Sequence, residues 1–177
     1  MSTFILLILL IVLVLLSGFL SGSETAITAT SKARIIYQKK KGIKRAGYVL
    51  ELLDRKDNVI STLLLSNNLV NILASSLATA FFYDIFGVEG IFYATIIMTL
   101  MILLFGELIP KTLALSKADH YALKIAPLMR ILVYLLYPLT VTLNYIASFL
   151  LKIVGVNYLN YKKEEISEKR EEELRGA

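Results

Sequence analysis

Oxygen-bearing side chains gather at three places inside long apolar stretches of this sequence. The first group is Ser17, Ser21, Glu24, Thr25 and Thr28. The second is Ser66-Asn67-Asn68-Leu69-Val70-Asn71, with Ser75 a turn further on, and the third is Phe105-Gly106-Glu107-Leu108-Ile109-Pro110-Lys111. Polar and ionisable groups are costly in hydrocarbon, so inside a membrane they are functional candidates by default. Their common chemistry is hard oxygen, which suits Mg2+, Ca2+, Na+ or Mn2+ and disfavours soft metals. The chain has no cysteine and a single histidine, His120, which excludes thiolate sites and argues against a multi-histidine zinc site. One carboxylate among neutral oxygens would make a weakly charged site, suited to an ion that must leave again.

The spacing within each group supports more than one reading. Ser17, Ser21, Glu24, Thr25 and Thr28 recur at steps of three and four, which puts them on one helical face. Gly18 and Gly22 add a small-xxx-small spacing that permits a close helix crossing. The plainer alternative is that the hydroxyls bond back to their own helix and the glycines only pack. Asn67, Asn71 and Ser75 share a face, and each amide offers an oxygen acceptor as well as N–H donors. They could bridge helices, coordinate a cation or line a cavity. Pro110 has no N–H, so an α-helix running through it leaves the Gly106 carbonyl without its usual donor. Carbonyls freed in this way hold cations in transporters. Alternatively, Glu107 pairs with Lys111 as a helix end stop. No Ser/His/Asp triad can be assembled around His120, and neither a phosphate loop nor paired intramembrane carboxylates occur, so an enzyme is not expected.

The elements that must carry these groups are membrane helices. Of 177 residues 56% are hydrophobic, against about 45–50% in soluble domains, and the mean hydropathy is +0.68. Spans are expected over about 4–28, 59–83 and 90–109, each near the length a helix needs to cross. The first could be read as a cleaved signal peptide, but Met1-Ser2-Thr3 lacks the basic opening of one. A short acidic connection, Asp84 to Glu89, makes the second and third spans an antiparallel hairpin.

Between the first two spans, residues 32–57 are strongly basic, from Lys32 and Arg34 through Lys39-Lys40-Lys41 to Arg55 and Lys56. By the positive-inside rule this interlude is cytoplasmic. The N-terminus and the hairpin tip then lie outside, and Lys111, Lys117 and Lys124 return inside. Two short helices, Ala33 to Lys41 and Ala46 to Leu53, are expected at the inner face, against anionic lipid headgroups rather than nucleic acid. The net charge of +5 is thus an orientation signal.

The block Ile125 to Val156 is long enough to cross. Pro127 and Pro138 interrupt it, however, Arg130 and Lys152 sit in it, and Tyr134, Tyr137 and Tyr145 favour an interface. It reads as a helix lying at the cytoplasmic face, or a bent one only partly immersed, rather than as a true fourth span. Residues 157–177 mix Glu with Lys and Arg at helical spacings, such as Glu165 with Lys169, as in the start of a cytoplasmic helix. No globular domain follows, as expected of a membrane domain taken from a longer protein or of a minimal one.

The three groups, in this order and spacing, resemble the membrane domain of the CorC and cyclin-M (CNNM) family of magnesium transporters. The motifs are Ser17-Gly18-Phe19-Leu20-Ser21-Gly22-Ser23-Glu24-Thr25-Ala26, Leu65-Ser66-Asn67-Asn68-Leu69-Val70-Asn71 and Phe105-Gly106-Glu107-Leu108-Ile109-Pro110-Lys111-Thr112, and the resemblance covers roughly residues 4–156. It implies an all-α homodimer whose subunits each have three transmembrane helices, a cytoplasmic helical pair after the first and a juxtamembrane belt helix after the third. Further cytoplasmic modules of the cystathionine-β-synthase (CBS) type, which bind ATP, normally follow in that family and are absent from this chain. The implied metal ligands are Ser17, Ser21, Asn67, Gly106 through its carbonyl, and Glu107. The implied activity is Mg2+ transport across the cell membrane, as export with Na+ as the counter-ion. Two other classes remain open: a membrane sensor that binds Mg2+ without moving it, and an anchor whose polar groups only join helices.

Overall fold

The computed structural model describes residues 3–153, and every regular element among them is helical. Helix α1 spans Thr3–Ala29. Two short helices follow, α2 over Lys32–Lys40 and α3 over Lys44–Asp54, as the sequence leads one to expect. They are joined through Gly42, whose φ of 85° is strained for any residue with a Cβ. Helix α4 spans Lys56–Phe86 and α5 spans Glu89–Met101. A π-helical segment, Ile102–Leu108, continues α5 into α6, Ile109–Ser116, and α7 spans Ala118–Ile153. The charged tail expected over 157–177 lies outside the described residues, as does the end of the block that closes at Val156.

The hairpin is tighter than its acidic sequence suggests. Asp84 belongs to α4 and Glu89 opens α5, so only Gly87 and Val88 connect them. Gly87 takes φ 64° and donates its N–H to the Tyr83 carbonyl at 2.8 Å. A side chain on Gly90 would collide with the Phe82 backbone, so that glycine lets the two helices meet directly after the turn.

Proline does not end the long helices. The helix that carries the span expected over 90–109 continues to Ser116, since the chain widens into the π-helix just before Pro110, which then sits in the first turn of α6. Nor do Pro127 and Pro138 interrupt α7, which begins seven residues before the expected block and continues through both. A proline removes one helical hydrogen bond and crowds the preceding turn, and an otherwise well-supported helix can bend around it. Four helical stretches are therefore long and apolar enough to cross a membrane: Phe4–Ala29, Lys56–Phe86, Glu89–Ser116 and Ala118–Ile153.

Side-chain packing orients these helices. Leu10 and Val14 of α1 pack with Ala74 and Ala78 of α4, while Leu20, Ala26 and Ile27 share a cluster with Val59 and Leu63. Early α1 thus meets late α4, and the two run antiparallel. At the basic end, Ile35, Ala46, Val49 and Leu52 of the interlude close a core with Ala122, Ala126, Met129 and Val133 of α7. Ion pairs link the same elements: Arg34 to Asp119 at 2.6 Å, Arg130 to Glu51 at 3.1 Å, and Lys32 to Asp54 at 2.8 Å. The Lys32 and Arg130 pairs are solvent-facing and modest in energy, about 0–1 kcal/mol each, whereas Asp119 of the Arg34 pair is 19% exposed; the buried apolar contacts do most to hold this end together.

The chain divides into two compact units, one up to Tyr137 and one from Pro138 onward. Within the second, α7 exposes Leu139, Val141, Ile146, Phe149 and Leu150, and the Thr142 hydroxyl donates to the Pro138 carbonyl at 2.8 Å. Such a surface is suited to lipid.

Candidate functional site

The first polar group separates into two kinds of residue. Thr25 and Thr28 donate their hydroxyls to carbonyls one turn back, at 3.1 and 3.0 Å, as does neighbouring Ser23 at 2.6 Å, which is the plainer reading realised. Ser17 and Ser21 do not. The Ser17 hydroxyl, fully buried, reaches across to α4 and donates to Asn67 Oδ1 at 3.0 Å. Ser21, one turn along the same face and equally buried, has a hydroxyl with no hydrogen-bond partner. Leaving such a group unsatisfied in a dry interior costs about 1–3 kcal/mol, which makes Ser21 Oγ a candidate ligand oxygen.

The second group separates similarly. Asn67 is buried against α1, whereas Asn68 beside it points outward. Ser66 bonds back to the Thr62 carbonyl at 2.8 Å. Asn71, a turn beyond Asn67, keeps a buried Oδ1 without a partner. Because α1 and α4 are antiparallel, Ser21 and Asn71 lie on opposite sides of the Ser17–Asn67 pair along the helix axes. Each is about 6 Å from it, four residues at 1.5 Å.

The third group supplies the remaining wall through its backbone. A Cβ on Gly106 would stand 2.9 Å from Ser17 Oγ, so the missing side chain is what lets the π-helical backbone touch the serine. In the π register the Ile109 N–H bonds to the Leu104 carbonyl, five residues back. Pro110 can donate to neither of the next carbonyls. In the π register the carbonyl that loses its donor is that of Phe105, where an unbroken α-helix would have freed that of Gly106. The Phe105 carbonyl lies against α1, where a Cβ on Gly18 would approach it to 2.5 Å, and Gly22 opens onto the Pro110 carbonyl and the Tyr121 hydroxyl. Gly18 and Gly22 therefore make the close crossing that their spacing suggests. Glu107 is half-buried beside Gly106 and, among the described residues, makes no ion pair with Lys111.

Of the five expected ligands, Ser17 meets both Asn67 and Gly106, Ser21 flanks them with an unpartnered oxygen, and Glu107 follows on the same π-helical segment. Sequence reasoning missed the π-helix and with it the Phe105 carbonyl. The available signal was Pro110, whose ring crowds the carbonyl four residues back in an α-helix and is relieved by a wider turn. No cluster of three or more His, Asp or Glu side chains occurs among the described residues, so any cation here is met mainly by neutral oxygens.

This arrangement lies within a stretch that matches a known family. The model of the cyclin M transmembrane N-terminal domain matches residues 8–177. The chain belongs to the cyclin M transmembrane-domain family. Its curated relatives include a UPF0053 protein of Haemophilus influenzae, 36% identical over 96% of this chain and 39% of the relative. The UPF0053 inner membrane protein YfjD of Escherichia coli is 37% identical over 80% of this chain and 33% of its own length. A DUF21 domain-containing chloroplastic protein of Arabidopsis thaliana is 33% identical over 84% and 23%. The chain thus spans about two fifths or less of the length of these relatives. All three motifs fall inside the cyclin M match, which makes this a multi-helix membrane protein of that family.

Proposed function

We propose that the junction of α1, α4 and the π-helical segment is the ion site of a Mg2+ transporter, which exports Mg2+ in exchange for Na+. The observation that carries this reading is the Ser17–Asn67 pair against Gly106, beside the unpartnered Ser21 hydroxyl. Mg2+ takes oxygens octahedrally at about 2.0–2.1 Å, so neighbouring ligands stand about 2.9 Å apart. Ser17 Oγ and Asn67 Oδ1 are 3.0 Å apart and need little movement to share such an ion. In this reading Ser17, Ser21, Asn67 and the Gly106 carbonyl supply the geometry and Glu107 the charge. Mg2+ sheds water reluctantly, so the protein oxygens must replace most of its shell, and release requires α1, α4 and the π-helical segment to rearrange.

The basic interlude faces the cytoplasm by the positive-inside rule, with the N-terminus outside. The packing of the first part of α7 on that interlude favours the belt reading, in which three helices cross and α7 lies at the inner face. The working unit is a homodimer, and CBS modules follow in the complete protein, for which the greater length of the relatives leaves room.

The test uses purified protein in sealed vesicles. Mg2+ flux should follow an imposed Na+ gradient, and Glu107→Ala should remove both the flux and the thermal stabilisation by Mg2+. At a hundred times its dissociation constant a ligand stabilises by about 2.7 kcal/mol, about 5–10 °C for a chain of this size. Stabilisation without flux in the unaltered protein would identify a sensor, and undiminished stabilisation in Glu107→Ala would remove Glu107 from the site.

A further inference from the structure

A cavity at the basic end of the domain is lined by none of the proposed ion-site residues. It measures about 670 Å³ and is enclosed by α3, the start of α4 and the first part of α7. Its apolar floor is made by Leu52, Val59 and Val133, and its rim carries Arg55, Arg130, Glu51 and the tyrosines Tyr134 and Tyr137. Arg130 is held in place by its Nε contact to Glu51 at 3.1 Å and by stacking on the Tyr48 ring at 5.3 Å. That contact engages Nε, and the guanidinium carries four further N–H donors. Arg55 is exposed and, among the described residues, forms no ion pair.

From these features we infer that the cavity is a binding site for the phosphate headgroup of an anionic phospholipid. Two arginines on one rim offer forked donors that match phosphate oxygens. Beneath them is apolar surface that a soluble anion would leave unused and the start of an acyl chain would cover. Tyr134, 85% exposed, adds an aromatic ring with a polar tip, the side-chain type that favours the headgroup level. Basic pockets between helices near the cytoplasmic face are a recurrent form of headgroup site. Glu51 sits on the same rim and competes with the phosphate for Arg130, so occupation has a built-in opponent whose removal should strengthen it.

The experiment is native mass spectrometry of the full chain released from detergent, titrated with phosphatidylglycerol, with phosphatidylcholine, and with inorganic phosphate. Retention of phosphatidylglycerol over phosphatidylcholine is expected. Arg55→Gln should weaken it about fivefold, in line with the contribution of one arginine at an anionic surface, and Arg55→Gln with Arg130→Gln more strongly. Glu51→Gln should tighten it, an increase that damage to the fold cannot produce. Lys40→Gln with Lys41→Gln, outside the cavity, should leave it unchanged. Equal retention of both lipids, an equal loss in the Lys40 and Lys41 variant, or weaker binding in Glu51→Gln would overturn the assignment. Displacement of the lipid by millimolar inorganic phosphate would overturn the lipid as the source of the phosphate.

Discussion

Gly18→Ala probes the contact on which the proposed ion site depends. The added Cβ would lie 2.5 Å from the Phe105 carbonyl oxygen and 3.0 Å from Pro110 Cγ. A carbon and a carbonyl oxygen ordinarily stay about 3.3–3.6 Å apart, so α1 and the π-helical segment must separate by about 1 Å. The obstructing atom belongs to backbone and cannot rotate away. Helix propensity alone would favour alanine by about 1 kcal/mol, whereas overpacking a fitted interface costs about 1–3 kcal/mol. The expected net effect is a loss of up to about 2 kcal/mol, a fall in Tm of up to about 8 °C. Gly47→Ala is the control, since nothing lies within 4 Å of a Cβ there. It should raise Tm by about 2–4 °C through propensity alone. Far-UV circular dichroism in detergent reads both, and repeating the melts with Mg2+ should give a smaller gain for Gly18→Ala than for the unaltered protein, because Ser17 moves with Gly18. A Gly18→Ala protein that melts at or above the parent temperature would refute the tight-interface reasoning.

Two further substitutions separate neighbouring roles. Asn67→Ala strands the buried Ser17 hydroxyl and should cost about 1–3 kcal/mol together with Mg2+ flux, whereas exposed Asn68→Ala should stay within about 0.5 kcal/mol and keep its flux; equal transport defects would reject the assignment of Asn67. Ser21→Ala removes a hydroxyl that has no partner, so the Mg2+-free protein should be no less stable while Mg2+ stabilises it less, and an unaltered Mg2+ response in melting curves would exclude Ser21 as a ligand.

Much of this molecule is legible in the order of its residues. Apolar runs locate the long helices, because a crossing helix needs nearly unbroken hydrophobic length whatever its neighbours. The basic interlude and its two short helices follow from local charge and periodicity. Positions of the oxygen groups are equally plain, since a polar residue inside such a run stands out.

What the sequence determined by itself was therefore composition-level: helical class, the lack of thiolate ligands, and a short set of candidate residues that includes Ser17, Ser21, Asn67, Gly106 and Glu107. Which hydroxyls turn inward and which bond back to their own helix depended on what stands opposite, and so did the choice of Asn67 over its neighbour Asn68. Tertiary structure alone decided these, by bringing residues 50 positions apart to 3.0 Å and by seating a side-chain-free backbone at Gly106 against Ser17. The π-helix belongs to the same class. Pro110 forbids one α-helical hydrogen bond, but whether the chain kinks, stops or widens is settled by the energy of packing against α1, where Gly18 and Gly22 leave room for it.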